Sequence, residues 1–124
     1  MDNQRASLAA HLAPVHTAVL VVAVQPMFTS MPLLPAVAEV LPRLRRFLDA
    51  ARAAGVPRVF IRHVIPEDRW TGVWQQQHAG RTLQAALAPG SSVNAFAPGF
   101  QAEPEDLVVI KQRDSGFVGT DLTA

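Results

Sequence analysis

One lysine, Lys111, stands among the 11 Lys and Arg residues of this chain, and it closes an apolar run, Leu107-Val-Val-Ile110. Cationic surface is otherwise supplied by arginine, so a lone ammonium at the mouth of a buried-reading strand marks a candidate functional position. A lysine that simply ends a strand at the surface is the competing reading, and residue type alone leaves both open. Two other strand-like runs end in residues able to do chemistry or bind a ligand. The first leads to Gln25, Met27 and Phe28, the second to His63, Glu67 and Asp68, and the run before Lys111 to Arg113 and Asp114. Open α/β sheets bind ligands beyond the carboxyl ends of their strands. Gathered there, these residues would make a crevice with one amine, several carboxylates and two tryptophans, Trp70 and Trp74.

The elements that must position them read as follows. Thr17-Ala-Val-Leu-Val-Val-Ala-Val24 is continuously apolar rather than alternating, which predicts a parallel strand buried on both faces. Gln25-Pro26 ends it, and a connection through Pro26, Pro32 and Pro35 follows. A helical pattern runs from about Val37 to Ala54, with Val37, Val40, Leu41, Leu44, Leu48 and Ala51 on one face and Arg43, Arg46, Asp49 and Arg52 on the other. Pro42 predicts a first turn and then a restart. Gly55 supplies a stop. Val56 to His63 is the second strand, so strand, helix and strand form a βαβ unit. Residues 64 to 105 are irregular apart from a short helix over Thr82 to Ala88, and a loop excursion this long is commonly functional. Leu107 to Lys111 is the third strand. The N-terminal residues read as loop with a short helix around Ala6 to Leu12.

Composition bounds the function. With 124 residues, 49% hydrophobic, 17% charged and a net charge of +1, the chain reads as one ordinary globular domain. No basic cluster marks a nucleic-acid footprint. The longest apolar segment, Ala18 to Val24, is far short of a membrane span. Neither a secretory signal nor any cysteine is present, which excludes disulfides and a thiol nucleophile within these residues and fits a cytoplasmic protein. His11, His16, His63 and His78 have no paired metal spacing, so neither a metal nor another cofactor is expected.

Three blocks in order, Thr17 to Phe28, Ala50 to Arg62 and Val109-Ile-Lys-Gln-Arg-Asp-Ser-Gly-Phe-Val-Gly-Thr-Asp-Leu122, resemble the isochorismatase-like (cysteine hydrolase) family from about residue 14 onward. The third block is the most specific. The resemblance implies a Rossmann-like, three-layer α/β fold whose six-stranded, mostly parallel sheet has helices on both faces; residues 1–124 would form a single, apparently truncated domain with only the first three strands. It implies hydrolysis of a C–N bond in a small amide or ureide, or of the vinyl ether of isochorismate. In the family an aspartate two residues before the glutamine acts as general base or acid, oriented by the lysine matched here by Lys111. A cysteine some forty residues further on is the nucleophile in the amidases. Here the aspartate position is Ala23, which cannot transfer a proton, so inactivity as this chain is expected. Lys111 and Ala23 are thus the catalytic positions, with Gln25, Phe28, Trp70, Trp74 and Phe117 as candidate substrate-binding positions. The nicotinamidase branch carries an Asp-x-His motif after strand 2 that is missing here, consistent with no metal.

A different reading remains beside it. Gly119-Thr-Asp-Leu122 resembles a helix start with Thr120 as cap, and three parallel strands are too few to cover a strand as apolar as Ala18 to Val24. The chain then reads either as a fragment of a larger sheet or as a non-catalytic, homo-oligomerising subunit that docks through an exposed sheet edge.

Overall fold

The computed structural model describes residues 2–30, 35–70 and 81–123. Its elements run in the order α1 (Asp2–His11), β1 (Val19–Val22), α2 (Pro26–Thr29), α3 (Pro35–Ala53), β2 (Arg58–His63), α4 (Arg81–Leu87) and β3 (Leu107–Lys111), with single 3₁₀ turns at Pro14–His16, Glu67–Arg69 and Ser92–Asn94. The three strands form one parallel sheet in the order β1-β2-β3. The α/β class, the parallel pairing and the third strand's bounds match the expectation from the sequence.

Why these residues form these elements is clearest in α3. Its 19 residues place Leu48 and Ala51 in the core, with Leu41 and Leu44 packed against it, while Arg43, Arg46 and Arg52 face water. Gly55, at φ +73°, takes the left-handed conformation that ends the helix, and the Val56 amide reaches back to the Ala51 carbonyl at 2.9 Å. Pro42 does not split the helix, contrary to the expected restart. It lies on the exposed side, as does Ala38, whose carbonyl loses its intrahelical partner and can turn to solvent instead. The apolar residues on the opposite side hold both halves to one axis.

The core joins α3 to one sheet face. Val21 of β1 and Phe60 of β2 stand in register, and with Leu48, Ala97 and Phe100 they form the central cluster. Phe96 meets Phe60 edge-on at 5.5 Å between ring centres, so the irregular segment leading toward β3 also seals this side. The other face differs from expectation. Leu20 is 45% and Val22 51% exposed, so β1 is buried on the α3 side and open on the other. A continuously apolar strand marks both faces for burial, and the residues described here cover one of them.

At the N-terminal end of the sheet Arg58 and Asp106 form a bidentate pair, Nε to Oδ1 at 2.8 Å and Nη2 to Oδ2 at 2.5 Å, with both side chains almost fully buried. Asp106 Oδ2 also accepts the Glu103 amide at 2.7 Å, and the Arg58 guanidinium lies 5.4 Å from the centre of the Phe60 ring. Arg58 opens β2 and Asp106 immediately precedes β3, so the pair fixes where the two strands start relative to one another. Burial pushes the Asp106 carboxyl up, but the Arg58 hydrogen bonds, the Glu103 amide and the charges of Arg58 and Arg52 outweigh that and hold it below the usual carboxylate range. The pair's contribution to stability is therefore complete above the ordinary carboxylate value of about 4 and is lost as pH falls from there through the lower folded value.

Asp106→Asn should cost about 3–5 kcal/mol in urea unfolding at neutral pH, because it leaves Arg58 buried without a counter-charge. Repeating the titration at successively lower pH should show a smaller acid-linked loss in the variant than in the parent chain. Equal slopes would mean that Asp106 is not the group responsible.

Candidate active site at the strand ends

The tail of β1 is shaped by its backbone. Ala23 continues the ladder, its amide bonding the Ile61 carbonyl at 2.8 Å, yet it has φ +55°. A residue with a Cβ pays about 1–2 kcal/mol in that region, and aspartate and asparagine visit it more readily than alanine. The Gln25 amide then bonds the Ala23 carbonyl at 2.9 Å, closing a tight turn that sends the chain into α2 with Pro26 at its first position.

Gln25 is the best-connected side chain at this end. It has no exposed surface, and its amide makes three hydrogen bonds: Nε2 donates to the carbonyls of His63 at 3.1 Å and Asn94 at 2.6 Å, while Oε1 accepts the His63 amide at 2.8 Å. Asn94 is itself buried and donates to the Ala88 carbonyl, and the Ala97 amide bonds the Val24 carbonyl at 2.9 Å. One amide group thus ties the end of β1, the end of β2 and the turn before β3 into a single block. Sequence reading placed Gln25 at the crevice but could not see this clamp, because its partners are backbone groups 38 and 69 residues away.

Lys111 is 7% exposed and stands in register with His63, also buried, on the neighbouring strand. Its Nζ donates to the Asp114 carbonyl at 2.7 Å. Among the described residues the ion pairs involve arginines alone, so this ammonium is held by a neutral carbonyl. A buried ammonium in that situation calls for a counter-charge. The alternative of a surface strand end is therefore excluded.

The remaining candidates divide. Phe28 and Ala23 line an apolar groove of 440 Å³ with Val22, Val24 and the inner side of α3. Trp70 borders a separate pocket of 220 Å³ beyond β2, with Ile65, Glu67, Gln84, Ala85 and Ala88. Phe117 is 55% exposed on the segment after β3, a run of bends and turns in which Thr120 Oγ1 accepts the Leu122 amide at 3.3 Å; the helix start expected at Thr120 is not formed among the described residues. Trp74 and His78 lie outside the described residues. Among the described residues no cluster of His, Cys, Asp and Glu could hold a metal ion.

Two substitutions check this geometry. Gln25→Leu should destabilise the chain by about 3 kcal/mol or more in chemical denaturation, since it strands buried backbone groups at His63 and Asn94. Ala23→Gly should raise stability by about 0.5–1 kcal/mol, because glycine accepts the positive φ without strain. A loss on Ala23→Gly would contradict the backbone described here.

Comparison with known proteins agrees with this arrangement. The model of the Isochorismatase domain matches residues 17–124. No curated protein sequence gives a match. Among solved structures, a cysteine hydrolase from Pseudomonas syringae pv. phaseolicola is similar with a TM-score of 0.74 and 28% identity, over 89% of this chain and 53% of that one. A putative isochorismatase from Burkholderia xenovorans is similar with a TM-score of 0.62 and 28% identity, over 86% and 46% respectively. N-carbamoylsarcosine amidase from Thermoplasma acidophilum shares the fold, with a TM-score of 0.68, 23% identity and coverage of 86% and 58%. The chain spans about half the length of these structures. A parallel sheet with Lys111 buried at its carboxyl end, matched across 17–124, makes this chain a member of the isochorismatase family.

Proposed function

We propose that these residues carry the lysine side of a hydrolytic site for a small molecule, either the C–N bond of an amide or ureide or the vinyl ether of isochorismate. The observation that carries the proposal is the buried Lys111 ammonium, held by the Asp114 carbonyl where a carboxylate is wanted. In this reading the missing carboxylate belongs at position 23, and Lys111 would hold it ionised and oriented toward the reacting bond. Ala23 offers only a methyl group, so no proton can be taken from a nucleophile or given to a leaving group there. No cysteine occurs in these 124 residues either. The chain by itself is therefore proposed to bind without turning over.

The other strand-end residues take supporting parts. Gln25 acts by clamping the strand ends rather than by touching substrate, because its amide is fully engaged with the backbone. Phe28 supplies an apolar wall beside position 23, while Trp70, Trp74 and Phe117 are proposed to border the substrate from the loops. We place the protein in the cytoplasm; among the described residues no helix is long and apolar enough to cross a membrane. A second reading, a non-catalytic subunit that assembles through its sheet, draws support from the exposed Leu20, Val22 and Leu107.

The test joins the second half of the Pseudomonas syringae cysteine hydrolase after residue 124 and compares Ala23 with Ala23→Asp on a panel of small amides, ureides and isochorismate. Ala23→Asp should raise turnover of at least one substrate by about 10²–10⁴-fold, and adding Lys111→Met should remove that gain. No gain from Ala23→Asp on any substrate would overturn the hydrolase reading.

A further inference from the structure

Arginines at the amino end of the sheet meet carboxylates: Arg58 pairs with Asp106, and Arg52 with Glu103 and Glu105. At the carboxyl end positive charge is left over. Arg62 lies 5.6 Å from the centre of the Phe96 ring, whereas Arg69 and Arg113 line one cavity of 330 Å³ with Ile110, Gln112, Val118 and Gly119. None of these lining residues is acidic. Arg69 has the carboxylate of adjacent Asp68 at 3.8 Å, beyond hydrogen-bond distance, and the two side chains are 63% and 79% exposed. Such a pair is weak and easily displaced. Arg113 takes part in no ion pair among the described residues. Residues 71–80, which follow in the sequence, contain neither Asp nor Glu and so supply no counter-charge.

Arg113 is also aimed. Its Nη1 donates to the Gln112 carbonyl at 2.9 Å and to the Arg69 carbonyl at 3.3 Å, which uses both hydrogens on that nitrogen and holds the half-buried guanidinium in place. Nε and Nη2 keep their N–H donors without a partner among the described residues. Those two nitrogens form the side-on edge of the guanidinium fork, the edge that takes two oxygens of one oxyanion. Gln112 brings a side-chain amide able to donate to the same group. Gly119, at φ +68°, has no side chain to fill the cavity, and nothing stands within 4 Å of where a Cβ would be. That wall is open, leaving room for whatever the anion is attached to.

Two guanidinium groups lining one cavity repel each other unless an anion sits between them. We propose that this cavity binds the phosphate group of a small molecule. The phosphate dianion matches two cations, and its tetrahedral oxygens can meet the Arg113 edge and Arg69 together. A carboxylate matches one arginine, and a dicarboxylate spreads its charge over two separate groups. The site goes beyond the hydrolytic reading, for the cavity shares no lining residue with the groove beside position 23 or with the Trp70 pocket. Ile110 lies two residues beyond Val108, the neighbour of core residue Phe60, and so faces the α3 side of β3. Lys111 points to the opposite side. Phosphate bound beside Ile110 is therefore not at the bond to be cleaved.

Inorganic phosphate is the probe, titrated into the 124-residue chain at low ionic strength and followed by calorimetry and phosphorus NMR line width. It should bind saturably, one phosphate to each chain. Arg69→Gln, at an exposed side chain, should weaken binding by about tenfold, and Arg113→Gln by at least as much. Arg113→Lys keeps the charge and can still donate to the Arg69 carbonyl, but it has no fork. It should lose affinity like Arg113→Gln while its circular dichroism stays that of the parent, which separates loss of the site from loss of the fold. Arg43→Gln, on the exposed side of α3, should bind as the parent does. Absence of saturable binding would overturn the proposal. So would undiminished affinity in the Arg69 and Arg113 variants, or tighter binding of malonate than of phosphate. The readout is binding, so failure here leaves the hydrolase reading to its own turnover assay.

Discussion

Three hydrogen bonds from one side-chain amide hold this structure's working end together. Gln25 is wholly buried, and its donors and acceptor are matched by the His63 amide, the His63 carbonyl and the Asn94 carbonyl. Parallel strands have no hairpin to fix their ends, so the chain after each strand departs independently. The clamp removes that independence. It fixes the exit of β1 relative to β2, and β2 carries His63 in register with Lys111 on β3. The end of β1, His63 and, through the β2–β3 register, Lys111 thus take their relative places from a residue that has no surface of its own.

The opposite end of the sheet is pinned by different chemistry. Arg58 and Asp106 pair where β2 and β3 begin, with planar fork meeting carboxylate and the Glu103 amide filling a remaining acceptor site. Between these two polar fasteners lies a core of Val21, Phe60, Leu48, Ala97 and Phe100 that itself needs the observed register, since a one-residue slip would turn the inward side chains to the other face. Directional bonds at both ends add to that constraint and hold the sheet in one alignment.

The sequence was most legible where local pattern decides structure. β3 runs from Leu107 to Lys111 as its composition predicts, and in α3 Leu41, Leu44, Leu48 and Ala51 turn inward as helical spacing predicts, whereas Val40, expected on the same face, is 53% exposed. Gly55 marks the helix end. Legibility failed where distance along the chain or solvent decides. Pro42 breaks a helix on local grounds, yet its exposed position lets packing on the opposite side keep one axis. The Gln25 clamp and the Arg58–Asp106 pair join residues 38 to 69 and 48 positions apart, and no periodicity points to either. Ala23 was identified by its place in a motif, but its positive φ is visible only in the folded chain. The apolar run of β1 reads as a strand covered on both faces; it is a strand, but among the described residues one face is covered and Leu20 and Val22 on the other are about half exposed.

Lys111 has one more consequence, which follows from its being the only side-chain primary amine in the chain and only 7% exposed. Apart from the α-amino group, an acylating reagent has a single nitrogen to find, and in the folded sheet that nitrogen is covered and bonded to the Asp114 carbonyl. Its acylation rate is therefore a built-in gauge of how often the carboxyl end of the sheet opens to water, readable by mass alone and with no label introduced by design.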